Sequence, residues 1–220
     1  MTGEFMNQIA DHVARILLEL NAVTLSPKKP YRYVSGMLSP VYTDCRVLMA
    51  YPDKRREIRD FYIEVIKNSG VEFDVVAGTA TAGIPHASWI ADKLNLPMVY
   101  VRGKAKDHGK ENLMEGIIKK GQKAIVIEDL VSTGESAINS INAVRSAGGE
   151  ISHVFSIITY GFNIAEENFK INNVELTSLT SFKDIVEAAQ SLNHIKQEDI
   201  KVILEWTSDP SNWGQKMGFE

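Results

Sequence analysis

One stretch limits the folds open to this chain more than any other: Lys123–Ser136, K-A-I-V-I-E-D-L-V-S-T-G-E-S. Its apolar run, Ala124 to Ile127, is short and rich in Val and Ile, the pattern of a strand buried on both faces. The run ends at two adjacent acids, Glu128 and Asp129. Ser132, Thr133 and Gly134 follow as a small-residue loop. Glu135 then opens a helical pattern with Ile138, Ile141 and Val144 on one face. A strand that feeds a helix through such a loop presents free backbone N–H groups at the positive end of a helix dipole, a place to hold a phosphate. The two acids would repel a phosphate, so they suit hydroxyl donors or a metal. Acids for hydroxyls beside amides for a phosphate describe a phosphorylated sugar. The same strand–loop–helix pattern also occurs as a plain structural turn.

Strands separated by helices of about a dozen residues recur along the chain. The spacing predicts helices over 4–20, 52–67, 84–94, 181–192 and 198–206, and strands over 73–77, 98–101, 151–160 and 173–180. Gly148 or Gly149 is the expected left-handed stop of the helix that starts at Glu135. This order predicts an α/β fold, a mostly parallel sheet with helices on both faces, preceded by an N-terminal helix and a looped hood. A single domain over 1–220 is expected, with helix and hood in 1–50 and the α/β core in 70–180. The loops 78–83, 102–110 and 128–136 each follow a strand, so all three gather at the carboxyl edge of the sheet, where ligands bind in such folds. The tail from Ser208 is polar apart from Trp213 and Phe219, and is expected to be loosely held.

Composition narrows the function classes. The chain has 220 residues, 44% apolar and 24% charged, with net charge −4. The negative balance argues against nucleic acid or an anionic membrane as a partner. No apolar run reaches the length of a membrane span, and the N-terminal residues lack a secretory pattern. The single cysteine, Cys45, cannot form an internal disulfide, so a cytoplasmic setting is expected. Neither G-x-G-x-x-G nor a complete phosphate-loop motif is present. Gly78 and Gly83 are spaced for the latter, but Ile84 and Pro85 follow where Lys and Ser/Thr are needed.

Two further segments carry chemistry. Arg102, Lys104, Lys106, His108 and Lys110 alternate ahead of Leu113 in a chain that is acidic overall. A charge run is commonly a solvated loop; the sharper reading is a basic flap that closes on a polyanion and excludes water. His108 among cations is easily deprotonated, which suits acid–base work or hydrogen-bond donation. Upstream, S-G-M-L-S-P-V-Y-T-D-C-R at 35–46 has turn chemistry and reads as a hairpin or looped hood.

I-V-I-E-D-L-V-S-T-G-E-S resembles the phosphoribosyl diphosphate (PRPP) motif of type I phosphoribosyltransferases. The hood S-G-M-L-S-P-V-Y and the flap A-K-D-H-G resemble those of the orotate phosphoribosyltransferases, over roughly residues 30–160. The resemblance implies transfer of a phosphoribosyl group from PRPP to orotate, in pyrimidine biosynthesis, with Mg²⁺ as cofactor held mainly through PRPP and not by protein ligands. It implies that Arg102, Lys106 and His108 serve the leaving diphosphate. Glu128 and Asp129 would hold the ribose hydroxyls, and Val131, Ser132, Thr133, Gly134, Glu135 and Ser136 the 5′-phosphate, with Leu130 also in the PRPP site. Ser35, Gly36, Tyr42 and Ser132 would face orotate. A homodimer is implied, with the flap of one subunit closing on its neighbour's site. Two departures stand out: Gly103 replaces a second basic residue after Arg102, and 79–83 lacks a lysine. The rivals are a purine enzyme on the same fold, which the hood opposes, and a PRPP-sensing regulator of nucleic acid, for which no basic module is present.

Overall fold

A computed structural model describes residues 3–103 and 113–219. In chain order the elements are α1 Gly3–Glu19, β1 Val23–Leu25, β2 Tyr31–Arg32, β3 Leu38–Ser39, β4 Val41–Thr43, a 3-10 turn Cys45–Ala50, α2 Pro52–Ser69, β5 Val75–Thr79, α3 Gly83–Leu94 and β6 Met98–Val101. They continue as β7 Met114–Glu115, β8 Lys123–Val131, α4 Glu135–Ser146, β9 Glu150–Thr159, α5 Asn163–Ile171, β10 Glu175–Ser181, α6 Phe182–Ser191, α7 Gln197–Ser208 and α8 Trp213–Lys216. The main sheet has the order β10-β9-β8-β5-β6-β7, parallel throughout except for β7, which runs antiparallel to β6. This is the predicted architecture. The hood is two antiparallel ribbons, β1 with β4 and β2 with β3.

The central strand shows why the sheet must be covered on both sides. Ala124 and Val126 enter one core layer with Ala137, Ile141 and Val144 of α4. Ile125 and Ile127 enter the other, with Val13 and Leu17 of α1, Ile58 and Tyr62 of α2, and Ile90 of α3. Alternate side chains leave a strand on opposite faces, so an unbroken apolar run needs two apolar partners. Each fully buried side chain of this size contributes roughly 1.5–3 kcal/mol. Helix α1 thus spends its apolar face on the core, against β10 and α6.

Several boundaries differ from expectation. The strand expected over 73–77 runs Val75–Thr79, because Gly78 and Thr79 are buried ladder residues. Their small size reads locally as a loop, but at Gly78 it serves the close packing of α3. Strand β8 does not end at the acids; it continues through Leu130 and Val131, paired with Ile158 and Thr159 of β9. Strand β7 and helix α5 were not anticipated. The first is two residues long, and the second starts at Phe162, which offers no polar cap. The tail is not loose. Trp213 is buried, its Nε1 donates to the Val202 carbonyl at 2.8 Å, and Phe219 lies 5.6 Å from its ring.

Helix α6 begins as its sequence indicates. The Ser181 hydroxyl accepts from the Asp184 N–H, and the Asp184 carboxylate accepts from the Ser181 N–H at 2.8 Å. Ser181→Ala should therefore cost about 1 kcal/mol in urea unfolding. An unchanged midpoint would mean that the cap is redundant there.

Candidate active site

The carboxyl edge of the sheet gathers the ends of β5, β6 and β8, as the loop argument predicted. At the end of β8, Glu128 is buried and its Oε1 accepts from the Asp129 N–H at 3.2 Å. Its other oxygen, Oε2, is buried with no hydrogen-bond partner among the described residues. Burial, with the neighbouring Asp129, pushes the Glu128 carboxyl well above the usual glutamate range; burial likewise raises Asp129. A buried carboxylate oxygen without a donor is costly. The end of β8 is therefore the candidate place for a ligand.

Three elements fix the acids. Tyr62 of α2 donates its hydroxyl to the Glu128 carbonyl at 2.6 Å. The buried Cys45 and the Arg46 guanidinium stand close enough to the acids to interact with them electrostatically. Arg46 is itself held by the Asp44 carboxylate at 2.6 and 2.9 Å. On the opposite flank, α3 presses onto β8: a Cβ added to Gly83 would lie 2.5 Å from the Ile127 carbonyl oxygen. Beside Tyr62, the His86 ring is buried, and burial lowers its pKa to about 4, so it is neutral near pH 7.

The loop after β8 is equally determined. Gly134 has φ +79, and a Cβ there would meet the Phe169 ring at 3.0 Å. Asn168 of α5 donates to the Thr133 carbonyl at 2.9 Å. Helix α5 thus sets the loop from behind. The first N–H groups of α4 have no carbonyl partner within the helix, as at any helix start. Ser132 is half-buried, and Thr133, Glu135 and Ser136 are exposed. Leu130 packs against one core layer and Val131 is buried in the other, so these two have only backbone to offer a ligand.

Arg102 follows β6; its N–H donates to the Leu113 carbonyl at 2.8 Å and its Nε lies 3.4 Å from the Glu115 carboxylate. Lys104, Lys106, His108 and Lys110 lie outside the described residues. In the hood, Ser35 and Gly36 form the exposed turn between β2 and β3, and the Tyr42 ring is 5.7 Å from Tyr31. The base of the hood is tied to the sheet edge: Tyr33 donates to the Val41 carbonyl at 2.8 Å and stands beside Tyr160, whose N–H donates to the Val131 carbonyl at 2.9 Å. The structure thus unites Arg102, Glu128, Asp129 and 132–136 at one edge, with Ser35 and Gly36 at the hood's outer turn. The sequence reading missed Tyr62, Cys45, Arg46, Thr79, Ser140, Asn168 and Phe169. Of these, Thr79 left a local signal, polarity at the end of the otherwise apolar V-V-A-G-T.

A covered parallel sheet with paired acids and a small-residue loop at its carboxyl edge defines a phosphoribosyltransferase, and the Phosphoribosyl transferase domain family matches residues 49–194. The orotate phosphoribosyltransferase of Coxiella burnetii is 46% identical over 208 residues, covering 94% of this chain and 99% of that one. Among solved structures, the orotate phosphoribosyltransferase of Aeropyrum pernix aligns with TM-score 0.73 and 29% identity, over 84% of this chain and 99% of that one. The UMP synthase of Leishmania donovani aligns with TM-score 0.75 and 26% identity, over 89% of this chain but only 42% of that longer one. The chain belongs to the orotate phosphoribosyltransferase family.

Proposed function

We propose that the enzyme transfers the phosphoribosyl group of PRPP to orotate, giving orotidine 5′-phosphate and diphosphate in pyrimidine biosynthesis. The observation that carries the site assignment is the buried Glu128 Oε2, without a hydrogen-bond donor, one residue from Asp129 and four from a helix-opening loop. The acids accept from the 2′ and 3′ hydroxyls of the ribose. Backbone N–H groups and hydroxyls of Ser132, Thr133, Gly134, Glu135 and Ser136 hold the 5′-phosphate. Leu130 and Val131 contribute through their backbone. Ser35, Gly36, Tyr42 and Ser132 border the pyrimidine under the hood.

In the reaction, a ring nitrogen of orotate loses its proton to solvent and forms a bond to C1 of the ribose as the bond from C1 to the diphosphate oxygen breaks. The electron pair leaves with diphosphate. Positive character on the ribose is opposed by the nearby acids, and charge on the leaving group by Arg102, Lys106 and His108. Catalysis is then mainly positioning and charge stabilisation. Asp129, partly open beside the buried Glu128, is the carboxylate that an Mg²⁺ carried in by PRPP would meet. A hydrated ion held mainly by PRPP oxygens, with Asp129 as its protein contact, would supply charge neutralisation on the diphosphate.

The test is orotate absorbance with purified protein, PRPP and Mg²⁺, omitting each in turn. Consumption requiring all of them supports the reading. Turnover of a purine base instead, or PRPP binding without any turnover, defeats it. The reading includes a homodimer with a shared site. Lys106→Ala should lower kcat roughly a hundredfold with a smaller effect on PRPP binding. Mixed with Asp129→Asn subunits, it should regain activity in heterodimers. No regain would show that each subunit uses its own flap. A reducing cytoplasm suits the single free, buried Cys45. Among the described residues, no helix is long and apolar enough to cross a membrane.

A further inference from the structure

Two hydroxyls are buried where the sequence pattern calls for apolar side chains. Thr79 ends β5 after Val75, Val76 and Ala77, and Ser140 lies on the face of α4 that also carries Ala137, Ile141 and Val144. They are 3% and 1% exposed. Burying two hydroxyls costs free energy unless both are hydrogen-bonded. Here they bond to each other, with Thr79 Oγ1 and Ser140 Oγ 2.9 Å apart, and Ser140 also donates to the Ser136 carbonyl at 3.2 Å. The pairing Gly78 with Ile127 puts Thr79 beside Glu128 in register, and its hydroxyl faces the Glu128 carboxyl.

These contacts join the two halves of the site. Glu128 belongs to the ribose side. Ser136 is in the first turn of α4, on the phosphate side. Thr79 and Ser140 link them. Each hydroxyl has one proton, so the pair has two settings. With Ser140 donating to the Ser136 carbonyl, Thr79 donates to Ser140. With Ser140 turned to donate to Thr79, the Thr79 proton is free for Glu128.

We propose that Thr79 and Ser140 are positioning residues for PRPP, a hydroxyl pair that fixes the Glu128 carboxyl and the first turn of α4 relative to each other so that ribose hydroxyls and 5′-phosphate are met together. The inference rests on the proposed PRPP reading of the site. Neither residue touches the reacting atoms. Both hydroxyls could be replaced by methyl groups or hydrogen without changing the apolar packing. Their retention in the core is accounted for by what they connect.

The test uses full-length Thr79→Val, Thr79→Ser, Ser140→Ala and the Thr79→Val/Ser140→Ala double variant. PRPP binding with Mg²⁺ is read by calorimetry, steady-state kinetics with each substrate varied, and folding by thermal melting. The expected result is a rise of about tenfold in Kd and KM for PRPP in Thr79→Val, the loss of about one charge-assisted hydrogen bond. The KM for orotate should move less than about twofold. Ser140→Ala should show the same pattern, Thr79→Ser should restore the wild-type value, and the double variant should be no worse than Thr79→Val, because both act on one connection. An unchanged Kd for PRPP in folded Thr79→Val and Ser140→Ala overturns the proposal. So do multiplying effects in the double variant, or equal losses for both substrates. If Thr79→Val does not fold, Ser140→Ala decides, since alanine suits a helix interior. Failure of the wild-type protein to bind PRPP would instead strike the functional reading itself.

Discussion

Glu128→Gln combined with Asp129→Asn should lower kcat/KM roughly 10²–10⁴-fold, the loss of two hydrogen bonds to charged acceptors at about 1.5–3 kcal/mol each. The same variant should be more stable than the wild type at neutral pH. Burial, with Asp129 beside it, raises the Glu128 carboxyl well above its usual range, and burial raises Asp129. The folded chain therefore holds these protons more tightly than the unfolded chain. Wild-type stability is fully expressed below the ordinary carboxylate range and falls as pH rises through the raised values. Uncharged amides escape that fall. A gain in melting temperature over the wild type is expected near pH 7. It should fade as the pH approaches about 4, the ordinary carboxylate value. His86, lowered to about 4 by its burial, works in the opposite sense between its unfolded value and that pH. It is present in both proteins and cancels from the difference. Paired melts at several pH values check this. A variant less stable than wild type at pH 7 would mean that the acids hold the fold together, not that they are held in place for a ligand.

Gly83→Val should destabilise the protein by about 3 kcal/mol, roughly 6–12 °C in the melt, and should also lower activity. The obstacle is backbone. A Cβ at 83 would be 2.5 Å from the Ile127 carbonyl oxygen and 3.4 Å from the Cα of Glu128. No rotamer relieves a contact made by the β-carbon itself, so either α3 or β8 must shift. The shift falls on the peptide just before the first acid. Gly103→Ala serves as the stability control, since a Cβ there meets nothing within 4 Å among the described residues. If Gly83→Val melts with the wild type, the close approach of α3 to the acid-bearing strand is wrong.

The sequence made the architecture plain because its strongest signal, the Ala124–Ile127 run, demands cover on both faces, and the alternating elements around it supply that cover. The same run misled about where β8 stops. Acids at 128 and 129 look like a strand end, yet β9 continues alongside with Val154 to Ile158, and ladder pairing carries the strand on to Val131. Gly78 and Thr79 misled similarly: small residues were read as loop, when Gly78 makes room for α3 and Thr79 meets Ser140 of α4. Of the candidate site, the residues with charge or unusual backbone were visible. The supports were not. Tyr62 reaches Glu128 from 66 positions away, and Asn168 reaches Thr133 from 35. Contacts at such separation leave no periodic trace in the chain. Helix α5, which carries Asn168, was itself hidden by its shortness and lack of a polar cap.

The order in which the ribosome delivers this chain differs from the order in which its parts meet. Helix α1 emerges well before β10 and α6, which cover its apolar face and end at Ser181 and Ser191. The hood follows, and Leu38 of β3 settles against Gly214 of α8. At synthesis rates of about 5–20 residues per second, α1 waits roughly ten to thirty seconds for its neighbours. For that interval Val13, Ile16 and Leu17, all buried in the finished fold, are an open apolar stripe on a nascent chain. Substitutions that delay the docking of α6 or α8 should therefore reduce the yield of folded protein in the cell before they alter the enzyme that results.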